Sequence, residues 1–187
     1  MALSTKKALA ESLRRLLSKR TLDKITVKDI VEDCGVNRQT FYYHFHDVYD
    51  LLEWIFEDNI TSMMEESENY KDWTRGMDTI KHKMLEDRKL ILNAYHSVSH
   101  EAVSGFIRRW LKPFVRYMVD QKAVNLEVAE EDKEFVAEMF TLATTGFFTE
   151  WVENGLLEER LHNLEKIKLA LDGSAESILL RLDQNKA

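Results

Sequence analysis

Cysteine, proline and glycine are all scarce in this chain of 187 residues, which has one cysteine (Cys34), one proline (Pro113) and six glycines. A lone cysteine excludes an intrachain disulfide framework and fits a reducing compartment. A β-sandwich or barrel needs turn-formers about every ten residues, so their scarcity points to an all-α fold. Long apolar runs are missing too. The longest is three residues, as in Trp54-Ile55-Phe56, and the first residues lack the apolar core of a signal peptide. The expectation is a soluble, cytoplasmic protein. Positive charge is also short, with 26 Lys+Arg against 33 Asp+Glu and a formal charge of −7, which argues against a polyanionic partner if the charge is evenly spread.

It is not evenly spread. Residues 1–46 carry nine basic and five acidic side chains, a net +4, and residues 47–187 carry −11. A basic head on an acidic body is the asymmetry expected when one end meets a polyanion. The chain therefore divides, as a sequence, into a head at 1–46 and a body at 47–187.

Apolar spacing predicts about nine helices. The first, from Ser4 or Thr5, shows Leu9, Leu13, Leu16 and Leu17. Thr26 with Asp29 makes a capping box before Val27, Ile30, Val31 and Cys34, and Gly35 stops that helix. Asn37 caps a short third helix with Phe41 and Phe45 inward. Asp47 caps a fourth carrying Val48, Leu51, Leu52, Ile55, Phe56, Ile60 and Met63. Trp73, Met77, Ile80 and Met84 mark a fifth helix, and Leu90, Ile91, Ala94, Tyr95 and Val98 a sixth. The seventh contains Pro113, expected to kink it. The eighth, near 131–154, is apolar on two sides, with Phe135, Met139, Leu142 and Gly146 on one and Val136, Phe140, Ala143, Phe147 and Trp151 on the other. The ninth is a single helix or a pair divided at Asp172-Gly173-Ser174.

With Phe41 inward, the third helix presents Arg38, Gln39, Thr40, Tyr42, Tyr43 and His44. Arg suits guanine O6/N7, Gln suits adenine N6/N7, Thr the thymine methyl, and Tyr and His can donate to phosphate. Exposed paired tyrosines are costly unless they bind something. The stretch Thr26 to Phe45 resembles the helix-turn-helix of TetR/AcrR-type transcriptional regulators, matching that pattern at Thr26, Ile30, Gly35, Val36, Phe41, Tyr42, His44 and Phe45. The resemblance implies that Thr26 and Lys28 meet the DNA backbone, that Arg38, Gln39 and Thr40 read base edges, and that Tyr42, Tyr43 and His44 hold phosphates. Val48 stands where many members place a phosphate-binding lysine, which shifts the expected backbone contact to Lys6, Lys7 and Arg38. Residues 38–55 are also similar to a subgroup of dihydroxyacetone kinase operon activators, in which the signal is a protein coactivator.

The second apolar side of helix eight needs a partner, and with helix nine it should form a four-helix homodimer interface through Phe135, Met139, Leu142, Ala143, Gly146, Phe147, Ile178 and Leu182. Trp73, Tyr95, His96, Trp110, Tyr117 and Met118 could line an effector pocket, although an ordinary core is the plainer reading. His96 and His100 are four apart but lack a third ligand, Cys34 reads as a core residue, and no catalytic motif occurs, so neither metal, cofactor nor enzymatic activity is expected. The reading is a homodimeric regulator on a palindromic DNA operator, controlled by a small-molecule effector or protein coactivator. A helical protein-interaction module is its rival.

Overall fold

The computed structural model describes residues 2–65 and 73–184; the side chains of residues 2, 3, 60, 62–65, 73 and 74 lie outside the description. The expected placements of Ile60, Met63 and Trp73 therefore fall outside the described side chains. Among the described residues the elements are nine α-helices and two short 3-10 turns: α1 (Ala2–Leu17), α2 (Val27–Cys34), α3 (Arg38–His44), α4 (Val48–Glu65), α5 (Trp73–Glu86), α6 (Arg88–Tyr95), α7 (His100–Lys122), α8 (Glu130–Glu153) and α9 (Leu161–Gln184).

The chain forms two compact units, Met1–Glu66 with Asp87–Val98, and Ser67–Glu86 with Ser99–Ala187. This packing division does not coincide with a cut after His46. Leu51, Leu52 and Ile55 of α4 and Leu90 and Ala94 of α6 are buried in one cluster with Leu9, Leu13, Leu17, Ile30, Phe41 and Phe45. Charge along the sequence marks where the basic residues stop, whereas burial decides which helices share a core.

Local signals start and stop the first unit's helices. Thr26 Oγ1 accepts from the Asp29 N–H (3.2 Å), and the Asp29 carboxylate accepts from the Thr26 N–H (2.8 Å), closing the capping box of α2. Gly35 ends that helix with φ 73°, a left-handed conformation that glycine adopts without steric cost. Asn37 Oδ1 caps α3 through the Thr40 N–H (2.8 Å). Asp47 Oδ1 caps α4 through the N–H groups of Tyr49 (2.8 Å) and Asp50 (2.9 Å). Buried Ser12 donates to the Ile30 carbonyl (2.9 Å), tying α1 to α2.

In the second unit α7 and α8 pack as an antiparallel pair. Arg108 pairs with Glu138, Lys112 with Glu134 (2.6 Å), and Arg116 with Glu130 and with Glu134 (3.0 Å). Each step of four residues up α7 moves the partner four residues down α8, which fixes the register. Helix α7 continues through Pro113.

In this unit one open alternative is resolved and one expectation is corrected. Of the single helix or pair left open at the end of the chain, α9 is the single helix, with Gly173 inside it. The buried face of α8 is Val136, Ala137, Phe140, Thr141, Thr144, Thr145, Phe148, Thr149, Trp151 and Val152, whereas Ala143 is exposed and Phe147 half-buried. Threonine reads as polar in a sequence pattern, yet Thr141 and Thr144 donate to the carbonyls of Ala137 and Phe140 (both 2.7 Å), which lets them face inward.

Candidate DNA-binding surface

Helix α3 is anchored by Phe41, fully buried, and by Phe45 just past its end. A single anchored turn leaves the rest of this short helix outward. Arg38 and Gln39 are exposed, and Tyr42 and Tyr43 are 58% and 81% exposed. The Tyr43 and His44 rings meet edge to face at 4.9 Å, holding the half-buried imidazole beside the exposed phenol. Thr40 Oγ1 donates to Asn37 Oδ1 (3.0 Å), so its hydroxyl proton is already committed within the helix start. Arg38 has no salt bridge among the described residues. The α3 set expected from the sequence is therefore brought together at one surface, with its cation unpaired.

Helix α2 contributes less. Thr26 Oγ1 donates to Asp29 Oδ2 (2.7 Å) and accepts from the Asp29 N–H, so the hydroxyl is committed to the cap. Lys28 is exposed and loosely paired with Glu32 at 3.7 Å. The Thr26 hydroxyl and backbone N–H and, more weakly, Arg20 hold the Asp29 carboxyl down to about 2, against the opposing effect of burial.

Val48 is buried in the head's core, in line with its place on the apolar side of the fourth helix. The Lys6 ammonium lies 5.3 Å from the Phe45 ring centre and 5.7 Å from that of Trp54. Arg15 pairs with Asp33 (2.6 Å), Arg20 with Asp29 (3.1 Å), and Arg14 with Asp87 (3.5 Å). Of the nine basic residues in 1–46, Lys7, Lys19, Lys24 and Arg38 have neither a salt bridge nor a ring contact among the described residues. Cys34 is half-buried, and burial pushes its thiol up, away from nucleophilic use.

In the second unit Phe135 (63% exposed), Met139, Leu142 (51% exposed), Ala143 and Gly146 share the outer side of α8, with Phe147 at its edge. Ile178 and Leu182 of α9 are half-buried. The residues expected around an effector divide between the units. Tyr95 and His96 go with the head, while Trp110, Tyr117 and Met118 lie on α7 of the other unit, where Trp110 and Met118 are buried. His96 closes α6 and His100 opens α7, pairing with Glu153 at 2.7 Å, so the two histidines do not share a helix face. Among the described residues no group of three metal-ligating side chains occurs, and no helix is long and apolar enough to cross a membrane.

Known proteins resemble the chain along most of its length. The family model for bacterial regulatory proteins of the tetR family matches residues 9–55, and a model for a transcriptional regulator C-terminal region matches residues 71–173, more than half of the chain. The HTH-type dhaKLM operon transcriptional activator DhaS of Lactococcus lactis subsp. lactis (strain IL1403) is 22% identical over 160 residues, 85% of either protein. A solved structure described as the dihydroxyacetone kinase operon activator DhaS has the same fold, with a TM-score of 0.74 at 19% identity over 92% of this chain and 96% of that one. With an amino-terminal helix-turn-helix, an all-helical body and both halves matched by models of regulators, the chain belongs to the TetR family of transcriptional regulators.

Proposed function

We propose that this regulator binds a palindromic operator as a homodimer, with α3 of each protomer in the major groove. The observation that carries the reading is the outer side of α3: unpaired Arg38, exposed Gln39 and two exposed tyrosines around one buried phenylalanine. Arg38 and Gln39 read base edges, Thr40 offers its methyl, and Tyr42, Tyr43 and His44 donate to phosphates, with Thr26 and Lys28 beside them on α2.

The outer side of α8 supports the two-fold. An added methyl at Gly146 would meet nothing within 4 Å, so the chain's own packing does not require the glycine, which costs about 1 kcal/mol relative to Ala inside a helix. In an antiparallel pairing of two α8 helices, Phe135 of one protomer falls opposite Gly146 of the other, and Met139 opposite Leu142, matching bulk to space. Ile178 and Leu182 extend this surface onto α9. The effector acts on the second unit, where Trp110 Nε1, Thr145 Oγ1 and Thr149 Oγ1 are buried without a hydrogen-bond partner among the described residues.

Activation of a dihydroxyacetone kinase operon, with a protein as the signal, is the second reading, compatible with the 85% span shared with the named activator. Selection of duplexes from a random pool, followed by gel shift with Arg38→Ala and Tyr42→Ala, tests the operator reading. We expect an enriched palindrome and a loss of about tenfold or more in each variant. Unaltered binding by both would remove the α3 assignment.

A further inference from the structure

Residues 39–70 contain no lysine and no arginine. That stretch takes in α3 beyond Arg38 and the whole of α4, and before residue 60 it carries Asp47, Asp50, Glu53, Glu57 and Asp58. A duplex laid along α3 therefore meets, past Arg38, a segment whose fixed charges are all negative. Two side chains there can become cationic, His44 and His46.

The residue between them sets their placement. Helix α3 ends at His44, and Phe45 leaves it in an extended conformation (φ −141°, ψ 141°) with its ring buried. Extended backbone turns successive side chains to opposite sides, so the inward ring of Phe45 sends its two neighbours outward. The His46 side chain is 92% exposed. His44 is half-buried, its ring edge to face with the exposed Tyr43 phenol at 4.9 Å.

Few charged groups surround the pair. His46 Nδ1 lies 3.5 Å from Asp47 Oδ2, and the His46 N–H donates to Asp50 Oδ2 (2.7 Å). Asp47 Oδ1 accepts from the N–H groups of Asp50 and Tyr49, and these bonds, that of Asp50 first, hold the Asp47 carboxyl below its usual range. The Lys6 ammonium stands 5.3 Å from the ring centre of the intervening Phe45. Among the described residues Asp47 is the only carboxylate at ion-pair distance from either imidazole.

We infer that His44 and His46 form a proton-dependent contact to operator phosphate, so that the protein takes up protons as it binds and holds DNA more tightly at pH 6 than at pH 8. This rests on the reading of α3 as the recognition helix. Histidine is the side chain whose charge changes between pH 5 and 8. A neutral imidazole offers phosphate one N–H, whereas an imidazolium offers a charge-assisted bond and offsets the field of Asp47 and Asp50. Phosphate beside the ring favours the protonated form in turn, so proton uptake and DNA binding reinforce each other. The gain is complete below the titration of the free protein and vanishes as pH rises through that of the complex.

The test measures affinity for a duplex carrying one enriched half-site, at pH 6, 7 and 8 and at several salt concentrations. It compares wild type with His46→Gln, His46→Arg and the His44→Gln/His46→Gln double variant. A single half-site keeps the two-fold out of the result. Wild type should bind about tenfold tighter at pH 6 than at pH 8, and its salt slope should be steeper at pH 6 by about 1 to 2. His46→Gln should lose part of that ratio and the double variant nearly all of it. His46→Arg should bind more tightly than wild type at pH 8, because arginine keeps its charge. His82, His96, His100 and His162 remain in every variant, so an acid enhancement that persists in the double variant overturns the inference. A wild-type ratio near one does so too, as does His46→Arg binding no tighter than wild type at pH 8. Should circular dichroism show the double variant unfolded, the two substitutions at the exposed His46 decide the matter. Arg38→Ala separates the two readings: a large loss there with no pH dependence in wild type sinks the histidine contact alone, and no loss there, or no enriched half-site, sinks the α3 reading with it.

Discussion

Replacing Thr26 with valine removes one hydroxyl and keeps the side chain's shape. In the wild type that hydroxyl accepts from the Asp29 N–H at 3.2 Å and donates to Asp29 Oδ2 at 2.7 Å. The Thr26 N–H donates to the same oxygen at 2.8 Å, and Arg20 stands 3.1 Å from the other oxygen. Together they lower the Asp29 carboxyl from 3.8 to about 2, with the Thr26 hydroxyl first among the causes. Taken whole, that distance corresponds to roughly 2.5 kcal/mol. The carboxylate side chain is 31% exposed and the pair lies at the surface, so screening by water brings the expected loss to about 1 kcal/mol, the ordinary worth of a helix cap. Because the folded value lies below the unfolded one, the stabilisation is fully present above pH 3.8 and disappears as pH falls toward 2. Thermal unfolding followed by circular dichroism should therefore show Thr26→Val melting several degrees below wild type at pH 7 and 5, with the gap narrowing below pH 4. The Asp29 carboxyl, followed by carbon NMR, should titrate closer to 3.8 in the variant. A gap that stays constant from pH 7 to pH 2.5, or an Asp29 still titrating near 2, would refute the argument. The backbone N–H and Arg20 would then be sufficient alone.

Further outcomes follow from packing. A Cβ at Gly76 would stand 2.8 Å from Phe114 Cδ1, so Gly76→Ala should destabilise the second unit by about 1–3 kcal/mol in a denaturant titration despite alanine's better helix propensity; a gain in stability would show that Phe114 yields freely. Leu142→Arg places a charge in the middle of the outer α8 surface and should convert a sedimenting dimer to a monomer while leaving helical content unchanged; a persisting dimer would move the interface elsewhere. Thr145→Val replaces a buried hydroxyl that has no partner among the described residues and should stabilise by about 1 kcal/mol; a loss of similar size would mean that the hydroxyl is hydrogen-bonded in solution.

What the sequence made legible was whatever neighbouring residues decide. Thr26 with Asp29, Gly35, Asn37 and Asp47 each satisfy or end a helix within four residues, and α2, α3 and α4 begin or stop where these residues direct. The outward set of α3 followed from one buried ring, because a helix of two turns has only one side to lose. Decisions made at long range could not be read in this way. Nothing near Asn93 announces that it will meet the end of α1, and nothing at Lys6 shows that its charge will lie against Phe45 and Trp54. In α8 the apolar pattern has two sides, and the inward threonines conceal which residues lie inside. At Gly173 a local breaking signal lost to the burial of Leu171, Ala175 and Leu179 in the same helix.

The internal pairing of the head's cations bears on how the protein should respond to salt. Nine basic residues would suggest a large displacement of condensed ions from the duplex. Yet Arg14, Arg15, Arg20 and Lys28 already face carboxylates, and Lys6 faces two rings. With Lys7, Lys19 and Lys24, and Lys28 once it leaves exposed Glu32, to neutralise phosphates, and Arg38 directed to base edges, the logarithmic dependence of affinity on salt should have a slope of about −3 to −4 per head rather than about −8. A regulator of this kind draws a smaller share of its affinity from indiscriminate attraction to DNA, so base edges and hydrogen bonds to phosphate must supply more of it.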